Sequence, residues 1–223
     1  MANYDKLIEI DGIIKQRYPD NVVLDGIINF EKFNKIEIKP KILWILKETH
    51  VSTSEAYKNG VFELNASLDE NITLHANWKS TWGLVMEISD AIIHDAQIWE
   101  DEVPLIERLL KEEVIKQIAI INVKKTGGGA ESDQSIINEF YQKDKDIIMA
   151  QIEAISPDII INASRVNALF DDLRIIDKRQ INQFDTAKFK NGIIINAYHP
   201  NQRNFSHKQY FELVRDCIKA MNN

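Results

Sequence analysis

Residues 42–50 read ILWILKETH. The apolar run 42–46 is short, unbroken and closed by polar residues, the pattern of a strand buried on both faces rather than one alternating between core and water. Three more runs rich in Ile or Val follow at 118–123, 158–163 and 192–197, each bounded by turn or polar residues. Helical patterns fill the intervals. Ser80 or Thr81 is positioned to cap a helix carrying Trp82, Val85, Met86, Ile92 and Ile93, and Pro104 opens another with Leu105, Ile106, Leu109 and Leu110. The longest helix runs from Ser132 towards Ser156 and Pro157, with Ile136, Ile137, Phe140, Tyr141, Ile147, Ile148, Ile152 and Ile155 recurring at helical spacing. Ser164 and Ser206 begin two shorter ones, and an amino-terminal helix containing Leu7, Ile10, Ile14 and Tyr18 is expected to pack on one face of the sheet. The alternation predicts a doubly wound, three-layer α/β/α fold with a four-stranded parallel sheet and right-handed crossovers.

With 223 residues, 44% hydrophobic and 27% charged, the chain has the balance of an ordinary globular protein. No Pro-, Gly- or Ser-rich linker divides it, so one domain over 1–223 is expected. Asp5, Glu9 and Asp11 interrupt the amino-terminal apolar residues, against a secretory or transit signal. No stretch approaches the roughly 20 apolar residues of a membrane span, and the expected compartment is the cytoplasm. Cys217 is the single cysteine, which excludes an internal disulfide and a cysteine zinc site. The histidines lack metal-ligand spacing, so neither metal nor cofactor is expected. A net charge of −7 argues against coating duplex nucleic acid by charge alone. It leaves room for a local basic cleft, so the placement of Lys and Arg matters more than their sum.

In open α/β sheets ligands bind beyond the carboxyl ends of the strands. The first strand is followed by Lys47, Glu48, Thr49 and His50, the second by Lys124, Lys125, Thr126 and the triplet Gly127 to Gly129. Ser164, Arg165 and Asn167 follow the third, and Tyr198, His199, Pro200, Asn201 and Arg203 the fourth, with His207 and Lys208 close behind. One edge of an acidic chain thus gathers cations, histidines and a lone strand-end carboxylate, Glu48, which suits an anionic ligand. The glycines are either a phosphate cradle or a surface loop. Trp78 and Trp82 are read as core residues before base-stacking platforms. The segment 50–79 is long for a loop and is read as a lid or binding segment.

Three stretches, ILWILKETH at 42–50, IAIINVKKTGG at 118–128 and IINAYHPNQRN at 194–204, resemble the uracil-DNA glycosylase superfamily. The resemblance implies a four-stranded parallel sheet between helices, over roughly residues 42–218. It places Glu48 where the family has a polar residue that positions or activates water, and Asn122 where an asparagine recognises the base. His199 and Pro200 match the last motif, whose histidine stabilises charge on the departing base. Pro157 precedes the third strand as a proline does in the family. This chain departs from the pattern in LKETH, which lacks the usual glycine and proline, and at Asn201, where serine is more frequent.

The expected function is hydrolysis of the N-glycosidic bond of a nucleobase in nucleic acid. Glu48 and His199 are the catalytic candidates, and Asn122, His50, Lys124, Lys125, Asn201, Arg203 and Lys208 the substrate-binding ones. The expected partner is a nucleic acid or nucleotide. A non-catalytic module binding the same ligands is the alternative, motivated by LKETH, and a phosphate-ester or metabolite hydrolase ranks third because fold does not set function.

Overall fold

A computed structural model describes residues 2–35, 37–51, 57, 59–75, 81–95, 105–129 and 131–222. In chain order its elements begin with α1 (Tyr4–Arg17), β1 (Val22–Leu24), β2 (Gly26–Ile27), α2 (Phe30–Phe33), β3 (Ile42–Leu46) and β4 (Val61–Glu63). Next come α3 (Leu64–His75), α4 (Thr81–Ile93), α5 (Leu105–Lys111), β5 (Ala119–Asn122), α6 (Gln134–Ile155), β6 (Ile159–Asn162) and α7 (Ala168–Asp172). The chain closes with β7 (Asp177–Ile181), β8 (Phe184–Phe189), β9 (Gly192–Asn196) and α8 (His207–Asn222). Trp78, Ser80 and Pro104 lie outside the described residues.

All four predicted strands form, and they are neighbours. β3 lies between β5 and β6, β9 lies beyond β6, and all three pairings are parallel. The predicted strand count is corrected, however. The main sheet has seven strands in the order β2-β5-β3-β6-β9-β8-β7 and is mixed, because β2 adds antiparallel at one edge and the β7–β8 hairpin at the other. The sequence patterns account for the omission. β7 reads DKRQI and β8 FDTAKF, with charges where a buried strand has none, and β2 is two residues long. A separate pair joins β1 to β4 in parallel.

Side-chain alternation along the central strands feeds two cores. Ile42, Trp44, Ile120, Ile159, Ile161, Ile193 and Ile195 face one cluster with residues of α3, α4 and α8. Leu43, Ile45, Ala119, Ile121, Ile160 and Ile194 face the other, with Ile137, Tyr141, Ile148 and Ile152 of α6. Both faces are therefore covered, which is why these strands read as continuous apolar runs. Trp82 packs against the first cluster, as expected of a core residue. α1 lays Ile10 and Ile14 against Ile147 and Ala154 of α6 in a third cluster.

Helix ends follow local chemistry. At α8, Ser206 Oγ accepts from the Gln209 N–H at 3.2 Å while the Gln209 amide oxygen accepts from the Ser206 N–H at 2.9 Å, a reciprocal capping box. Asp133, not Ser132, caps α6 through the Ser135 N–H at 2.8 Å. Ser164 does not start a helix; its hydroxyl donates to Asn162 Oδ1 and accepts from the Val166 N–H, and α7 begins at Ala168. None of the helices among the described residues is long and apolar enough to cross a membrane.

Candidate active site

Pairing between β3 and β5 continues past the strand ends. Lys47 O accepts from the Lys124 N–H at 2.9 Å and Thr49 O from the Gly128 N–H at 2.8 Å, with a parallel bridge between His50 and Gly128. The two polar loops thus run side by side. The Lys124 ammonium reaches the Glu48 carboxylate at 2.7 Å, and the Glu48 side chain is 7% exposed. Gly128 closes over the same carboxylate, since a Cβ there would lie 2.1 Å from the Glu48 carboxyl carbon. A Cβ at Gly127 would meet the Tyr57 hydroxyl at the same distance. These glycines make room for side chains, so the open phosphate cradle is not what the triplet forms. His50 is exposed at the rim.

Asn122 ends β5 and is buried. Its backbone N–H donates to Asp25 Oδ2 at 2.7 Å, and its Nδ2 donates to Thr49 Oγ1 at 2.9 Å and to Asp25 Oδ2 at 3.3 Å. Both amide protons are committed, and its Oδ1 has no hydrogen-bond partner among the described residues. Asp25, between β1 and β2, also holds the Lys125 ammonium at 2.8 Å and accepts from Gln151 Nε2 at 3.1 Å. Lys125 is fully buried in that ion pair. This corrects its expected place among the substrate-binding residues: an ammonium with no exposed surface, held by a carboxylate, is spent on the fold. Asp25 was not legible as a site residue, because a single acid in VVLDGII resembles any turn aspartate until the fold sets it beneath Asn122.

His199 follows β9. Its Nδ1 accepts the Asn201 N–H at 3.1 Å, so a neutral ring carries its proton on Nε2. Burial first, and then the Lys47 charge, push its pKa down to about 4. Lys47 itself is pulled below its ordinary value by burial and by the Arg165 guanidinium. Lys47, Glu48's neighbour in the chain, is therefore close enough to bias His199 on the β9 loop against taking up a proton.

No family model matches this chain, and no curated protein matches it.

The remaining candidates separate. Asn201, Arg203 and Lys208 are exposed beyond His199, where long cations can reach solvent phosphates. His207 is instead bonded through Nδ1 to Glu87 of α4 at 2.7 Å, joining α8 to α4. No group of three or more His, Cys, Asp or Glu side chains among the described residues is arranged to hold a metal ion. The site offers one pinned carboxylate, one neutral imidazole donor, one unpaired amide oxygen and a cationic rim.

Proposed function

We propose that this chain hydrolyses N-glycosidic bonds, releasing a nucleobase from nucleic acid at the carboxyl ends of β3, β5 and β9. The observation that carries the reading is the His199 ring. Its Nδ1 is occupied by the Asn201 N–H and its pKa is low, which leaves a neutral Nε2–H donor at physiological pH. As the bond from the sugar C1′ to the base nitrogen breaks, its electron pair stays on the base. A donor fixed in place before the reaction stabilises that charge with little reorganisation. Glu48, held by Lys124, supplies the carboxylate that orients water towards C1′ or faces an oxocarbenium-like sugar. The water oxygen bonds to C1′, and its proton passes to the carboxylate or to solvent. Asn122 has spent its amide protons on Thr49 and Asp25, so only its buried Oδ1 is left to accept from a ring or exocyclic N–H of the base, and the base reaches it when the β3 and β5 loops part. A base in duplex DNA must first be flipped out, at a cost of about a few kcal/mol.

The resemblance to the uracil-DNA glycosylase superfamily supports this reading through the same residues. The pinned state of Glu48 favours the alternative, a binding module without turnover. Base release from single- and double-stranded DNA carrying uracil or other altered bases separates the two. We expect His199→Ala to lose roughly 10²–10³-fold and Glu48→Gln roughly 10²–10⁴-fold, with folding intact by circular dichroism. Full activity in both variants removes the residue assignment; salt-sensitive binding without any release favours the module.

A further inference from the structure

A cavity of about 610 Å³ opens beside Lys47, within the range of small-ligand pockets. It is built from separate parts of the chain: Gln134 and Asn138 on α6, Arg165 and Asn167 after β6, Gln180 and Gln183 at the hairpin, and Asn196 to Tyr198 at the end of β9. Neither Glu48, Asn122 nor His199 lines it, so it is a neighbour of the proposed catalytic site and shares Lys47 as a wall with the loop that carries Glu48.

Its chemistry is specific. Lys47 and Arg165 repel one another, and neither has an ion-pair partner among the described residues. The lone carboxylate of the lining, Asp185, is already paired with Lys178 at 2.9 Å, so the uncompensated charge of the cavity is positive. Arg165 lies over the Tyr198 ring at 5.3 Å and adopts a left-handed backbone, φ 62°, which few side chains favour without reason. Six carboxamides supply the rest. Four are already oriented: Asn196 Nδ2 donates to Asn167 Oδ1 at 2.8 Å and Asn196 Oδ1 accepts from Asn162 Nδ2 at 3.0 Å, while Gln134 Nε2 donates to Ser164 O at 3.1 Å and to Asn138 Oδ1 at 3.4 Å, which leaves the Gln134 oxygen and the Asn138 amide protons for a ligand. The hairpin that brings Gln180 and Gln183 turns tightly at Asn182, φ 52°, and both glutamines are exposed at its tip.

We propose that this cavity binds a nucleoside phosphate, with the phosphate between Lys47 and Arg165 and the base read by the carboxamides of α6 and the β7–β8 hairpin. A carboxamide offers a donor and an acceptor a short distance apart, as a base edge does, and an arginine over a tyrosine is a planar surface of the kind on which bases stack. A purely anionic ligand leaves the carboxamides unused, and a neutral sugar leaves the two cations uncompensated. The inference rests on the proposed base-releasing site only in supposing that the nucleotide neighbours the reacting one. The same chemistry is met by a flanking unit of a strand or by a free mononucleotide.

The test is equilibrium binding by the full chain. A short fluorescein-labelled single-stranded oligodeoxynucleotide is followed by anisotropy across a salt series, and adenosine and thymidine 5′-monophosphates and inorganic phosphate by calorimetry. Arg165→Gln is expected to weaken nucleotide or strand binding about tenfold and to lower the salt slope by about one. The double change Gln180→Ala and Gln183→Ala, at an exposed turn, is expected to weaken binding several-fold with an unchanged salt slope. Mononucleotides binding as tightly as the strand identify a free nucleotide; binding of the strand alone identifies a flanking unit. Affinity unchanged in both variants, or phosphate binding as tightly as the nucleotides, overturns the proposal. Base release run in parallel keeps the two readings apart. Release that His199→Ala abolishes, with unaltered binding in the cavity variants, sinks the cavity and leaves the reaction; no release, with binding that Arg165→Gln weakens, does the reverse.

Discussion

At the scale of single residues, the pH behaviour of two partly buried groups follows from their surroundings. His199 titrates near 4 when folded against about 6.5 when unfolded, so its charged form is disfavoured in the native state. Above about pH 6.5 the ring is neutral in both states and contributes no pH dependence. Between about pH 6.5 and 4 the unfolded chain takes up the proton first, and stability falls by at most about 3 kcal/mol. Base release is accordingly expected to show no loss attributable to His199 from about pH 8 down to about pH 5, which a pH–rate profile checks. Asp11 on α1 is raised from 3.8 to about 6 by burial, then by repulsion from Asp25, with Lys15 and Lys125 opposing. Its ionised form is disfavoured in the folded chain, so it destabilises above about pH 6 and the penalty disappears as pH falls below about 4. Asp11→Asn is therefore expected to raise the midpoint of thermal unfolding at about pH 7.5 by a few degrees and to change little near pH 4. Scanning calorimetry at both values checks it. The position of Glu48, Asn122 and His199 at the carboxyl ends of the central strands was legible because each stands at or just beyond the end of an apolar run. The burial of Lys125 was not, since its neighbour Lys124, identical in type, points to Glu48 instead.

At the scale of elements, close approach between strands and loops sets what the chain tolerates. Gly192 opens β9 beside the start of β6, and a Cβ there would lie 1.9 Å from the Asp158 carbonyl oxygen. The same oxygen accepts the Ile193 N–H at 3.0 Å, so relief by backbone movement breaks the ladder. Gly192→Ala is expected to destabilise by about 1–3 kcal/mol, the usual range for overpacking, measured by urea unfolding. The central strands and α1, α4, α6 and α8 were legible because burial on one or two faces writes a period into the sequence. The hairpin β7–β8 was hidden by its own function as an edge, where one side of the strand meets water and accepts charge. Among the described residues of 50–79, β4 and α3 form, and β4 carries no strong pattern because its described partner is the three-residue β1.

At the scale of the whole molecule, the Asp25 cluster fastens separate layers together. Asp25 holds Lys125 and Asn122 from the β5 side and Gln151 from α6, while α1 packs on α6 above it. Removing one partner strands the other charge in the interior. Asp25→Asn is expected to cost about 3–5 kcal/mol, and combining it with Lys125→Met to restore much of that loss; chemical unfolding of the pair reads the difference. Three-layer architecture was legible from alternation alone, whereas the cross-layer polar cluster depends on contacts between residues 25, 122, 125 and 151 that no local pattern records. The seven-stranded sheet must also end somewhere. At one side it ends in the two-residue β2; at the other it ends in β7, whose Asp177, Lys178 and Arg179 occupy consecutive positions. A strand that short offers little to a second chain, and docking against β7 would take charged side chains out of water. The hairpin that walls the cavity thus also keeps the sheet from growing by self-association, so a substitution that makes β7 apolar turns a binding wall into a seed for aggregation.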